Sequence, residues 1–307
     1  MDYFVDDNKP KFVIEYCHVH GKSNKSESDV ETSEGMDNDA YSCWLISVVQ
    51  ALRASPSFRV LFSPSSHERN SIKKELFHLF DIVEGRHGEK QRLVKYDEIR
   101  NFKKHLIKEG LEAKMNDGFL EEPFLKFLLK KLHAREFEYS HLGKLKNATI
   151  LNIPLKKEKK QRQLQTFITD QKVTFRSKSK TPEFLPIYLD RPQFEHKYDK
   201  DDIVTEFART PVVPNGQLEI VVGNTGEKAK YRLVSVVIGR DSIEHAYCYV
   251  VERDSNGDPV WVEYNDHKVL IHTDPETKKR NKSSNLTPLV DACKHAGILI
   301  YQFIGFT

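Results

Sequence analysis

The stretch DNDAYSCWLISVVQALRASPSFRVLF, residues 37–62, changes from polar and turn-forming to apolar at one cysteine, Cys43. Leu45, Val48, Val49 and Leu52 fall at i, i+3, i+4 and i+7, a single stripe of an amphipathic helix. Ser42 is the expected N-cap and Ser55-Pro56 the expected stop. A thiol at that helix start would face unpaired backbone N–H groups and the positive end of the helix dipole, which favour thiolate and lower the pKa. Alone, a free cysteine opening an apolar helix reads as a small buried hydrophobe. A reactive cysteine needs a partner base elsewhere in the chain.

Upstream, residues 21–39 are polar and serine-rich and are expected to be a flexible lead-in. Downstream, SIKKELFHLFDIV and EIRNFKKHLIKEGL carry helical spacing, and Phe124, Phe127, Leu128 and Leu132 supply a further stripe, so residues 71–134 read as helical. After about residue 147 the period shortens. ATILNIPL, EFLPIYLD, QLEIVV, YRLVSVVI, AYCYVVE, PVWVEY and GILIYQFI are strand-like runs between polar or Gly/Pro turns. A helical first half followed by a mostly antiparallel β half predicts an α+β fold with a cleft between the two.

Composition narrows the class. Net charge is +3, too balanced to mark a nucleic-acid protein, and no specific nucleic-acid partner is expected. The runs KKEKKQRQ (156–163) and TKKRNKSS (277–284) read as solvated faces, with nuclear targeting an open alternative for the second. No apolar run approaches the roughly 18 residues of a membrane span, and MDYFVDDNKPKF lacks the pattern of a signal peptide. The four cysteines (Cys17, Cys43, Cys248, Cys293) are therefore expected as reduced thiols in the cytoplasm or nucleus. Cys17-His18-x-His20 looks ligand-like but has no fourth ligand nearby, and no CxxC pair exists, so no metal or other cofactor is expected.

The candidate base lies in DSIEHAYCYVVERDSNGDPVWVEYNDHKVLIHTD, residues 241–274. AYCYVVE and PVWVEY are joined by RDSNGD, whose Asn256-Gly257 is a hairpin signal. With the turn centred near 255 and 256, paired residue numbers sum to about 511 in an antiparallel ladder. His245 then lies opposite Asp266 or its neighbour Asn265. A side-chain oxygen beside an imidazole is the base-and-orienter half of a thiol-protease triad.

These two stretches resemble the cysteine and histidine boxes of the ubiquitin-specific proteases. The first is matched by Gly35-Met36-Asp37-Asn38, then Cys43-Trp44-Leu45-Ile46-Ser47 and Val49-Gln50-Ala51-Leu52, with Asn38 five residues before the cysteine. The second is matched by Tyr231-Arg232-Leu233 leading toward His245, and by Trp261, Tyr264, Asn265, Asp266 and Val269. Leu185-Pro186-Ile187-Tyr188-Leu189-Asp190-Arg191 and Ile298-Leu299-Ile300-Tyr301 are similar to later strands of that family, so the likeness spans residues 35–302 in order. It implies a papain-like fold, with a helical thumb over about 34–135, a fingers and palm region over about 136–307, and residues 1–33 as an N-terminal extension. It also implies Cys43 as nucleophile, His245 as base, Asn265 as orienter with Asp266 behind it or in its place, and Asn38 as oxyanion donor.

The family's pattern is broken at positions that meet the modifier. Glu244 stands where glycine is usual and Ala246 where an aromatic is usual. Glu244 would either narrow the channel for the modifier's tail or raise the His245 pKa. The tail-binding acidic box reads Phe119, Leu120, Glu121, Pro123, Phe124, leaving Glu121 or Glu122 as substitutes. The missing cysteine pairs imply short fingers without a zinc site. The implied function is a deubiquitinase cleaving the isopeptide bond after the C-terminal glycine of ubiquitin. The alternatives are an inactive ubiquitin-binding scaffold, or an isopeptidase for a modifier such as SUMO.

Overall fold

The computed structural model describes residues 34–38, 41–156, 160–191, 193–197, 203–207, 210–223, 226–239, 245–253, 259–272 and 288–307. The apolar stripe at the start of the cysteine segment forms helix α1, Cys43–Arg53, and every one of its residues is buried. Ser42 occupies its N-cap position without a side-chain cap bond; instead the Ser42 N–H donates to Asn38 Oδ1 at 3.1 Å. The expected stop holds, and it does more than end α1. Ser55 Oγ accepts from the Phe58 N–H at 3.3 Å and Pro56 opens a second helix, α2, Pro56–Phe62. Proline fits there because its missing N–H would be unsatisfied in a first turn anyway.

Three more helices follow: α3 (Ser71–Glu84), α4 (Tyr96–Lys108) and α5 (Glu121–Lys131). Asn70 caps α3 by accepting from the Lys73 N–H at 3.0 Å, and Gly85 closes it in the left-handed region at φ 64°. Helix α5 begins with Glu121 and Glu122 and ends with Lys130 and Lys131, charges that match the helix dipole at both ends.

From Phe137 onward the chain is mostly strand: β1 (Phe137–His141), β2 (Lys144–Ala148), β3 (Leu151–Pro154), β4 (Arg162–Gln163), β5 (Thr174–Phe175), β6 (Phe184–Asp190), β7 (Gln193–Lys197), β8 (Ile203–Phe207), β9 (Val212–Val213), β10 (Gln217–Val222), β11 (Lys228–Gly239), β12 (Ala246–Arg253), β13 (Pro259–Asn265), β14 (Lys268–His272) and β15 (Ala296–Phe306). Among the described residues, eleven strands join one sheet, in the order β14-β13-β12-β11-β10-β5-β1-β2, with β15 bridging β11 and β6, and β3 beside β6. The sheet is mostly antiparallel, as expected, with two parallel pairs, β10–β5 and β3–β6; the small separate β4–β9 pair is also parallel. Among the described residues, two short α-helices interrupt the β half, α6 (Leu164–Asp170) and α7 (Pro288–His295). Part of the first charge run is structured, since Arg162 and Gln163 form β4 and Arg162 pairs with Asp170. Residues 157–159, the second run at 277–284, Cys17-His18-x-His20 and the expected extension 1–33 lie outside the described residues.

Two apolar cores flank the sheet. Helices α1 to α5 cover one face, where Leu45, Val48, Val49 and Leu52 meet Val237, Cys248, Val250, Val262 and Tyr264. Trp44 packs edge-on against Phe119 and Phe124, with ring centroids 5.3 and 5.0 Å away. Buried Ser235 on β11 donates to the Ala51 carbonyl of α1 at 3.0 Å, tying helix to sheet. On the other face Leu164, Phe167, Ile168 and Ala292 share one core with Tyr247, Tyr249 and Trp261. The alternation of β12 and β13 thus divides their side chains between two cores. This α+β arrangement is the papain-like layering that the cysteine-box resemblance implies.

Leu52 is wholly buried at the centre of the helix–sheet contact. Leu52→Ala is expected to destabilise the protein by about 2–5 kcal/mol, read as a shift of the urea unfolding midpoint with an unchanged slope.

Candidate active site

Cys43 sits at the first turn of α1, only 4% exposed, where the helix abuts the start of β12. The backbone N–H of Ala246, the residue after His245, donates toward its sulfur, and so does that of Trp44. The thiol is nevertheless pushed above its ordinary pKa, the reverse of the expectation from helix position. Burial is the largest cause, and the carboxyls of Asp266 and Glu121 add to it. Two amide donors are outweighed because a thiolate here would lose nearly all its water while facing acids.

His245 immediately precedes β12 and Asn265 closes β13. The ladder sets Cys248 opposite Tyr264 and Arg253 opposite Pro259, one residue away from the expected register. The pairing ends before His245 is reached, so a diagonal contact survives the shift: His245 Nε2 lies 2.7 Å from Asn265 Oδ1. The imidazole also stacks on Tyr247, centroids 6.0 Å apart at 28°. Tyr247 and Tyr249 in turn both donate their hydroxyls to Asp291 Oδ2 of α7, the latter at 2.8 Å.

Asn38 and Asp266 form a second pair. Asn38 Nδ2 donates to Asp266 Oδ2 at 3.2 Å while its Oδ1 holds the Ser42 N–H. Asp266 has φ 55°, a left-handed turn that lets the chain reverse from β13 into β14. Burial raises its carboxyl pKa, opposed by His245 and the Asn38 bond. The strand-like segment 34–38 lies directly on that turn: the Met36 N–H donates to the Asp266 carbonyl at 3.1 Å. A Cβ on Gly35 would stand 2.6 Å from the same oxygen and 2.8 Å from His267 Cα, so only glycine allows the approach.

The tail-binding candidates separate. Glu121 leans over Gly239, whose added Cβ would meet its Oε2 at 3.1 Å, and burial pushes its carboxyl up to about 7. Glu122 instead pairs with Lys126 at 2.9 Å. Ala246 is buried, contributing its amide to the thiol, and Glu244 lies outside the described residues. Among the described residues no three His, Cys, Asp or Glu side chains gather as a metal site would, and no helix is long and apolar enough to cross a membrane.

Three participants are absent from the sequence reading. Lys103 is wholly buried, and its Nζ donates to the Tyr41 carbonyl at 2.8 Å and the Met115 carbonyl at 3.0 Å. The Trp44 indole shares that Tyr41 oxygen at 2.8 Å, so the segment before Cys43 is held by two donors from different helices. Glu263, 0% exposed, stands behind Asn265. Asp291 anchors the tyrosines under His245. Only Glu263 had a visible signal, a lone acid in an otherwise apolar and aromatic strand run.

The Glu121 carboxyl has a pH signature. Its folded pKa of about 7 exceeds the ordinary 4.5, so between those values the folded chain holds a proton that the unfolded chain has lost. Stability from this group is complete below pH 4.5 and declines as pH rises through 7. Glu121→Gln is expected to leave the melting temperature at pH 4.5 nearly as it is and to stabilise the protein at pH 8 by on the order of 2 kcal/mol, measured by thermal unfolding at both values.

Comparisons with known proteins give the fold and the family. The crystal structure of an essential yeast splicing factor superposes with a TM-score of 0.59 at 16% sequence identity, over 89% of this chain and 69% of that one. That likeness is one of fold. No curated protein matches the sequence significantly. The profile of the family described as ubiquitin carboxyl-terminal hydrolase matches residues 34–301, from the segment that carries Asn38 to the last buried strand. With that match over most of its length, the chain belongs to the ubiquitin carboxyl-terminal hydrolase family.

Proposed function

We propose that the protein is a thiol-dependent isopeptidase that hydrolyses the bond after the C-terminal glycine of ubiquitin on conjugated proteins. The observation that carries this reading is the 2.7 Å contact of His245 Nε2 with Asn265 Oδ1, made at the strand end whose next amide meets the Cys43 thiol. With Nε2 committed to Asn265, Nδ1 is the nitrogen left to take a proton. A thiol held up by burial rests protonated at neutral pH, so no thiolate is preformed at Cys43.

On this reading His245 accepts the thiol proton as the Cys43 sulfur bonds to the glycine carbonyl carbon, and the carbonyl electrons move onto oxygen. The Cys43 backbone N–H and the second N–H of Asn38 Nδ2, whose first serves Asp266, stabilise that oxyanion. Its collapse breaks the C–N bond and His245 gives its proton to the leaving lysine amine. Water, deprotonated by His245, then attacks the thioester, releasing the carboxylate and restoring the thiol. Asp266 keeps Asn38 aimed, and Glu121 and Ala246 are assigned to the side facing the modifier's tail.

A scaffold that binds ubiquitin without cleaving it is favoured by one observation, the elevated thiol among carboxyls. The occurrence of this fold in a splicing factor is compatible with it. A related modifier such as SUMO is the remaining choice of substrate. Incubation with ubiquitin or SUMO bearing a C-terminal electrophile separates the three readings. The expected result is a covalent ubiquitin adduct absent in Cys43→Ala and formed at least about 100-fold more slowly in His245→Ala. Asn38→Ala should lower kcat by about 100- to 1,000-fold. Adduct with SUMO alone reassigns the substrate. Binding equally tight in Cys43→Ala with no adduct from either modifier overturns the hydrolase reading.

A further inference from the structure

The hydrogen bonding at His245 continues inward. Asn265 Nδ2 donates to Glu263 Oε1 at 3.2 Å, and the other carboxylate oxygen lies 3.2 Å from His272 Nε2. Residues 263 and 265 share one face of β13 by strand alternation, and His272 reaches the same face from β14, where it stands opposite Trp261. Glu263 is 0% exposed and His272 9%, so the carboxylate is held in place by its partners rather than by water.

An asparagine amide presents an acceptor at one end and two donors at the other. Both ends have similar shape, yet they ask opposite things of an imidazole. Oδ1 facing Nε2 requires the proton on Nε2 and leaves Nδ1 with its lone pair. Nδ2 facing Nε2 would require the other tautomer, with Nδ1 protonated and unable to accept a thiol proton. The Tyr247 stack holds the ring plane but is indifferent to this choice. A carboxylate behind the amide is not, because flipping Asn265 would set Oδ1 against Glu263 Oε1, acceptor against acceptor.

We propose that Glu263 is a positioning residue that fixes the Asn265 amide with Oδ1 toward His245, and thereby sets His245 as the Nε2–H tautomer, with His272 holding the far side of the carboxylate. The inference rests on the hydrolase reading only for its effect on turnover. Its direct consequence is a property of the resting protein.

The experiment is nitrogen NMR of the histidine-labelled full chain together with kinetics on a fluorogenic ubiquitin amide. In the wild type, His245 should show the Nε2–H tautomer and the Asn265 Nδ2 protons should exchange slowly with solvent. Glu263→Met removes the acceptor at similar volume. It should populate the Nδ1–H tautomer and lower kcat about 10- to 100-fold, the range seen for outer partners of a functional imidazole, with KM within about twofold. Glu263→Gln keeps an oxygen for Asn265 and should recover most of the loss. Made on top of Asn265→Asp, Glu263→Met should raise kcat, since the two facing carboxylates repel; a merely structural Glu263 would lower it in both backgrounds. An unmoved tautomer in folded Glu263→Met, or fast-exchanging Asn265 amide protons in the wild type, overturns the proposal even where turnover is normal. A tautomer that moves in a protein with no turnover upholds the role of Glu263 and removes the hydrolase reading instead.

Discussion

Helix α1 has no solvent face, and the placement of the candidate site follows from that. It is held between the β11–β12 side of the sheet and helices α2 and α5. Even its polar residues are enclosed. Ser47 bonds the Trp44 carbonyl, Gln50 donates to the Glu34 carbonyl, and Arg53 reaches Gln50 and Glu84. Burying a Leu or Val side chain contributes about 1.5–3 kcal/mol, so the stripe that seats the helix also decides where its first residue stops. That point is the edge of β12, beside the Ala246 amide. The same enclosure strips water from the thiol and raises its pKa, so a well-seated thiol and an easily ionised one are in conflict here.

Acids gather around this thiol in a way that a preformed thiolate would resist. Glu121 and Asp266 both act on it, and Glu263 stands behind Asn265. Two asparagines manage them. Asn38 lies between Asp266 and the backbone leading into Cys43, and Asn265 lies between Glu263 and His245. A neutral amide passes on orientation through its hydrogen bonds without passing on a full charge. The imidazole and the helix start are thus each linked through an asparagine to a carboxylate, Glu263 for the first and Asp266 for the second. This gives a physical reason for asparagine at both positions.

Much of this was legible in the sequence, for reasons that differ by element. The stripe Leu45, Val48, Val49, Leu52 marked α1 because helical period and burial coincide there, and the long runs around 217–222, 231–238 and 246–252 marked strands for the same reason. Short elements escaped. Helix α2 hid behind the Ser-Pro that was read as a stop, and α6 and α7 are too short to show a period against tertiary forces. The parallel pairs β10–β5 and β3–β6 carry no local signal, since parallel neighbours are brought together by distant parts of the chain.

The candidate site divides along the same line. The sequence by itself singled out the candidate residues, Cys43, His245, Asn265, Asn38 and Asp266, because their types and order are written in two short stretches with turn and helix-start signals around them. It also determined that Gly35 belongs with them, although the reason, a backbone oxygen 2.6 Å from where its Cβ would be, is visible only in three dimensions. Tertiary structure alone decided the protonation of the thiol, since the helix dipole acts locally while desolvation and the fields of Glu121 and Asp266 depend on packing. It alone decided that Oδ1 rather than Nδ2 of Asn265 faces His245, because that choice is made by Glu263, two residues back on the same face of β13 and wholly buried.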